Sequence, residues 1–220
     1  MIAVEFVKSR RMLMRGLMAV ALASGLVAPV LAADNSAPDV LIRQLSLETL
    51  EALKSDKAIQ GGDVQKIITL VDTKVMPHVN FQRMTASAVG RFWRQATPDQ
   101  QAKLEAEFKT LLVRTYVGAL TQVKDQTIAL KPLRAGAEDT EVVVRTEIRG
   151  KGEPIQLDYR LEKTPAGWKI YDVNVLGIWL ADQYRNSFAQ EIGANGIDGL
   201  IKALADRNAK AAATPVKSAS

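Results

Sequence analysis

The sequence predicts an α+β fold in which an antiparallel sheet is framed by helices at both ends. Three observations carry this: apolar residues recur at helical spacing up to about Val123, at every second position from Ile128 to Leu176, and at helical spacing again from Ile178.

The helical half is well punctuated. From Pro38 to about Lys54, Ile42, Leu45, Thr49 and Leu53 share one face, and Gly61-Gly62 breaks the chain. Asp63 caps a second helix carrying Val64, Ile67, Ile68, Val71 and Val75, which Pro77 stops. Asn80 caps a third with Phe81, Met84 and Ala88, closed by Gly90. Thr97-Pro98-Asp99-Gln100 places Thr at the N-cap, Pro at the first helical position and Gln where it completes a capping box. The helix it launches carries Leu104, Phe108, Leu111, Leu112, Thr115 and Leu120.

Alternation then takes over. Ile128–Leu130 is a short strand, and residues 141–149 (EVVVRTEIR) put Val142, Val144, Thr146 and Ile148 on one face. After Gly150-Lys151-Gly152, residues 155–162 turn Ile155, Leu157, Tyr159 and Leu161 inward. Thr164–Gly167 leads into Trp168–Leu176, whose alternation offers Tyr171, Val173 and Val175 to the same face. One wet and one dry face mean an antiparallel sheet, of about four strands. Two helices follow, one with Leu180, Tyr184 and Phe188, the other with Ile197, Leu200, Ile201 and Leu204.

The chain ends are read differently. Lys8, Arg10, Arg11 and Arg15 precede an uncharged apolar run from Gly16 to Ala32, the layout of a cleavable signal peptide over residues 1–32. Ser9-Arg10-Arg11-Met12-Leu13 also resembles a twin-arginine signal, although paired arginines are common in ordinary signals and the general secretory route is favoured. Either route leads out of the cytoplasm. Residues 33–208 form the α+β domain, and 209–220 (AKAAATPVKSAS) read as a disordered tail.

Composition excludes several classes of chemistry. The signal segment takes four basic residues and one acidic one, leaving 25 basic and 23 acidic residues, a net of +2. That argues against nucleic acid, whose binders concentrate basic residues. With no cysteine and the single histidine His78, neither a zinc site nor a histidine-based triad is expected, and no cofactor is called for. Arg91 and Arg94 around Phe92 and Trp93 (GRFWRQ, 90–95) read as a packed helix junction, with rings buried and guanidinium heads in water.

For a pocket, the candidates are the inward positions Val142, Val144, Thr146, Ile148, Leu157, Tyr159, Tyr171, Val173 and Val175. Val75, Phe108, Leu112 and Tyr116 would face them from the helices. Plain core packing fits the same residues. A rival reading makes Asp172 a general base with Tyr159 or Tyr184 as donor, against the alternative that Asp172 pairs with Arg185 or Arg160 and fixes its strand to the following helix. A third reading is an apolar groove that chaperones peptides.

Two long blocks resemble a known family. "VMPHVNFQRMTASAVGRFWRQATPDQQAKLEAEFKTLLVRTYVGAL" and "GWKIYDVNVLGIWLADQYRNSF" are similar to the MlaC, or toluene-tolerance, family of periplasmic phospholipid-binding proteins, and the likeness spans nearly all of residues 36–207. Its marks include Gly90 and Trp93, Thr97-Pro98, Phe108, Leu111-Leu112 with Tyr116, and Trp168 through Tyr171-Asp172-Val173 to Gly177, Tyr184-Arg185 and Phe188. Trp179 departs from it, standing where a smaller polar residue is expected. The resemblance implies a non-enzymatic monomeric carrier of diacyl phospholipid, whose curved sheet and helices enclose an apolar cavity. It implies traffic between an outer-membrane lipoprotein–porin complex and the lipid-binding subunit of an inner-membrane ABC transporter, maintaining outer-membrane lipid asymmetry.

Overall fold

The first described helix starts on a proline. In the computed structural model, which describes residues 37–136 and 138–213, α1 runs Pro38–Ser55 and buries Leu41, Ile42, Leu45 and Leu53. Proline suits the first turn because its missing N–H has no intrahelical partner to lose. Asp56 caps the short α2 (Lys57–Gln60) and Asp63 caps α3 (Val64–Leu70). That helix continues through a π-helical segment, Val71–Val75, and a 3-10 turn, Met76–His78, so helical structure ends around Pro77 as expected. The Asn80 side chain accepts from Arg83 N–H and opens α4 (Phe81–Val89), which Gly90 ends at φ 66°. Phe92 and Trp93 sit on a 3-10 turn, Gly90–Gln95, ahead of α5 (Pro98–Leu120) and its complete capping box between Thr97 and Gln100.

The sheet has five strands in chain order, each antiparallel to the next: β1 (Thr127–Leu130), β2 (Glu141–Arg149), β3 (Ile155–Thr164), β4 (Gly167–Val175) and β5 (Ile178–Trp179). The last strand is one more than the alternation predicts. Leu176 and Gly177 both have positive φ, 53° and 90°, and make the two-residue turn that folds Ile178 back onto Val175. Two residues are too few to show a period. The final helix, α6 (Leu180–Ala213), is interrupted at Gly196, which matches the two helices expected there, and it extends past residue 208 to Ala213. The expected signal peptide and the rest of the expected tail lie outside the described residues.

The sheet face that matters is set by register. Val142, Val144, Thr146 and Ile148 stand opposite Leu161, Tyr159, Leu157 and Ile155, so all eight side chains share the inner face. In β4 the pairing slips: Arg160 faces Asp172, but Leu161 faces Ile170, and Tyr171 is the extra residue of a β-bulge. Ile170 takes the inner position and is buried. Tyr171, expected beside Val173 and Val175, lies instead on the outer face, where its hydroxyl meets Glu141 at 3.1 Å and Arg83 covers its ring.

Apolar burial is divided among three clusters. One joins α4, α5 and α6 around Phe81, Met84, Phe108, Tyr184 and Phe188. A second joins α1 to the sheet through Leu41, Ile42, Leu45, Val142, Val144, Leu161 and Ile170. The third joins the ends of α1 and α5 to α2 and α3 through Leu53, Ile59, Ile67, Val113, Val117 and Val123. Domains of this size usually show one contiguous core with small satellites.

Candidate functional site

Between the helical cluster and the sheet cluster lies a seam of half-buried apolar side chains. Val173 packs against both clusters, as does Val79; Met76 and Leu112 pack against the helical one, and Val75 and Tyr159 against the sheet one. Tyr159 is the informative member. It keeps accessible surface, yet desolvation pushes its phenol up to about 12 in spite of hydrogen bonds with Ser46 of α1 and Thr146 of β2. The ring is thus enclosed by protein while part of its surface stays accessible. Tyr116 shows the same tendency: burial first, then the neighbouring Tyr184, raises its hydroxyl above the ordinary tyrosine value.

The predicted residues separate into groups. Phe108, Val142, Val144 and Thr146 are buried within packed clusters or the sheet. Phe108 is an aromatic hub, with the rings of Tyr184 and Phe188 edge-on at 5.1 and 5.3 Å. Val75, Leu112, Tyr116, Ile148, Leu157, Tyr159, Val173 and Val175 are half-buried. Tyr171 is separated from them by the bulge. Moving from Leu161 through Tyr159 and Leu157 to Ile155, inner positions of β3 go from buried to exposed, so the sheet is sealed under α1 and open at the Ile155 end. Sequence reasoning missed Ser46, although it falls on the same helical stripe as Ile42, Thr49 and Leu53. It also missed Ile170, which the alternation assigns to the other face.

Asp172 is fully employed. It is 2 % exposed. Its Oδ2 accepts from Arg160 at 3.1 Å, and its Oδ1 accepts from the N–H groups of Val173 at 2.9 Å and Ala181 at 3.2 Å. Burial still holds its carboxyl above the ordinary aspartate value, against the pull of those two amides and of Arg160. Of the partners considered, Arg160 is the one it meets; Arg185 pairs with Asp182 and donates to the Ser87 carbonyl. Trp179 stacks on Arg160 at 3.8 Å, and its register with Asn174 places it on the outer face. Among the described residues no cluster of potential metal ligands exists, and no helix is long and apolar enough to cross a membrane.

Comparison with known proteins fits this architecture. The family model described as MlaC protein matches residues 43–206. The chain belongs to the MlaC family. Curated relatives include the toluene tolerance protein Ttg2D of Pseudomonas putida, 26% identical over 186 residues, which span 83% of this chain and 86% of the relative. The intermembrane phospholipid transport system binding protein MlaC of Haemophilus influenzae is 23% identical over 171 residues, 76% of this chain and 80% of that protein. Among solved structures, the phospholipid-binding protein from Ralstonia solanacearum in complex with a phospholipid is 47% identical, with a TM-score of 0.78 over 80% of this chain and 99% of that one. The MlaC fold accounts for the open five-stranded sheet with helices at both ends.

Proposed function

We propose that this MlaC-family chain is a periplasmic phospholipid carrier, working without catalysis between an outer-membrane lipoprotein–porin complex and the lipid-binding subunit of an inner-membrane ABC transporter. The observation that carries the reading is the divided core: half-buried apolar residues line the join between the helical and sheet clusters, with Val79 and Val173 packed against both, Met76 and Leu112 against the first and Val75 and Tyr159 against the second. Val75, Leu112, Tyr116, Leu157, Tyr159, Val173 and Val175 form the wall against the acyl chains. Ile148 and Ile155 stand at the mouth. Phe108, Val142, Val144 and Thr146 back the wall from behind.

The energetics suit a shuttle. Two acyl chains of about 15 methylenes each, at about 0.8 kcal/mol per methylene, gain about 24 kcal/mol on leaving water. A bilayer offers nearly the same gain, so transfer is close to neutral only if most of both tails is enclosed. An apolar wall reads tails rather than headgroups, and diacyl phospholipid of mixed headgroup is the cargo that follows. The test is mass spectrometry of lipid extracted from protein purified without detergent. A lipid-free preparation that also takes no phospholipid from vesicles would overturn the proposal. Asp172, held by three donors, is assigned to tying β4 to α6 rather than to proton transfer.

A further inference from the structure

β1 covers only half of its neighbour. It pairs with β2 from Thr127↔Arg149 to Leu130↔Thr146, and one further bond joins Lys131 N–H to the Arg145 carbonyl at 2.9 Å. Pro132 follows, with no N–H to continue the ladder, while β2 runs on to Glu141. The backbone groups left over can be named. On the other side of β2, Lys163 N–H donates to the Thr140 carbonyl, so even-numbered residues bond to β3 and odd-numbered ones point toward β1. Val143 therefore turns its N–H and C=O to an open edge, with no protein partner among the described residues.

A pocket of about 740 Å³ begins beside that edge, at Pro132, Arg134 and Val143, and extends over the outer face of the sheet to Arg160 and Tyr171. Four of its lining residues, Lys131, Arg134, Arg145 and Arg160, are cationic, and Glu141 is its one carboxylate. Glu141 is already taken by Arg83 and the Tyr171 hydroxyl, which hold its carboxyl below the usual range. Lys131 is shared with Glu147 and Arg160 with Asp172, while Arg134 and Arg145 have no carboxylate partner among the described residues.

We infer that the open half of β2 is a docking site for an acidic, extended segment of a partner protein, which adds a strand along Glu141–Val143 and lays its carboxylates toward Arg134 and Arg145. The backbone decides between ligand classes. A phosphate ion or an anionic bilayer presents no extended row in which an N–H and a C=O stand side by side at strand spacing, so neither meets the Val143 carbonyl and N–H together. An extended peptide supplies both an N–H and a C=O, which is how strands are added to sheet edges. Alternation sets its composition. Outer positions of the new strand stand toward Arg134 and Arg145, and inner positions meet Leu133, which packs on the cluster that buries Val142 and Val144, so acidic and apolar residues should alternate. The inference goes beyond the lipid reading and does not need it.

The test titrates two capped hexapeptides, one alternating glutamate with valine and one alternating lysine with valine, into the full-length protein by calorimetry. The acidic peptide should bind saturably and the basic one should not. The double variant Arg134→Glu/Arg145→Glu, both changes on exposed side chains, should weaken binding by roughly tenfold or more. N-methylating the peptide amides should abolish binding while leaving charge untouched, and Val143→Pro, which removes the edge N–H, should weaken it in protein whose unfolding stays cooperative. Equal binding of both peptides, indifference to N-methylation, or binding of inorganic phosphate or phosphatidylglycerol vesicles in place of the peptide would overturn the inference. Lipid content measured in the same samples keeps this outcome separate from the carrier reading.

Discussion

Asp172 Oδ1 accepts the backbone N–H of Ala181 at 3.2 Å, fastening the penultimate strand to the first turn of the last helix. The same oxygen takes the Val173 N–H, so one buried atom satisfies two amides. Asp172→Asn retains that oxygen but turns an NH2 toward Arg160 in place of Oδ2, so it should cost less than Asp172→Ala, which also leaves both amides short of an acceptor and should cost a further ~1–3 kcal/mol. Urea unfolding of the two variants checks this, and an alanine variant as stable as the asparagine one would refute it.

Titration of the same group gives a second expectation. Its folded-state pKa is raised, chiefly by burial. The linkage therefore favours the fold fully below the unfolded value of ~3.9 and fades as pH rises through the folded value. Wild type should lose stability relative to Asp172→Asn across mildly acidic pH and keep a constant difference above it. Paired denaturation curves across that range are the measurement; parallel curves would mean that the carboxyl is not raised.

Trp93 and its flanking arginines divide the junction between them. Trp93 and Phe92 pack against the helical cluster but remain half-buried, and Arg91 and Arg94 are exposed, with Arg91 over the Phe92 ring at 4.9 Å. Trp93→Ala should therefore cost about 1.5–3 kcal/mol, short of the ~3–5 kcal/mol of a fully buried ring. Changing both arginines to glutamine should move stability by no more than about 0.5 kcal/mol. Thermal unfolding reports on both.

Leu157 separates wall from core. It is half-buried on the inner face, paired with Thr146 on one side and Val175 on the other. Leu157→Arg at a wall beside open space can snorkel toward the mouth, giving a folded protein that no longer retains lipid. At a close-packed site the same change unfolds the domain. Lipid content and the cooperativity of unfolding, read on one preparation, decide between them.

Leu176 occupies a left-handed position that asparagine and glycine fill at less cost, and it is 65% exposed. Leu176→Asn should relieve the turn and raise stability by about 1 kcal/mol. A loss instead would show that the leucine makes a contact that its exposure conceals.

How much of this was legible in the sequence depends on whether a feature is decided within a segment or between segments. The caps at Asp63, Asn80 and Thr97 and the alternation of residues 141–149 are local chemistry, and all appear in the structure as read. The bulge at Tyr171 is decided by how β4 meets β3, so strict alternation put Tyr171 and Ile170 on the wrong faces. The long helix α5 buries Leu104, Phe108 and Leu111 in one cluster, and Val113 and Val117 in another. A single stripe could not anticipate the second face, and Thr115, placed on the stripe, is exposed. The candidate wall was legible as an apolar face; which of its members are packed and which border the seam depends on helices distant in sequence.

The division of the apolar interior into three clusters has a volumetric consequence. Pressure favours whichever state occupies less space, and unfolding lets water into voids that side chains leave unfilled. A protein whose apolar interior is divided in this way should unfold at lower pressure when stripped of lipid than when hydrocarbon occupies the seam. The difference in unfolding volume between lipid-loaded and stripped samples, measured by high-pressure fluorescence of Trp93, Trp168 and Trp179, would gauge how much space the acyl chains take up.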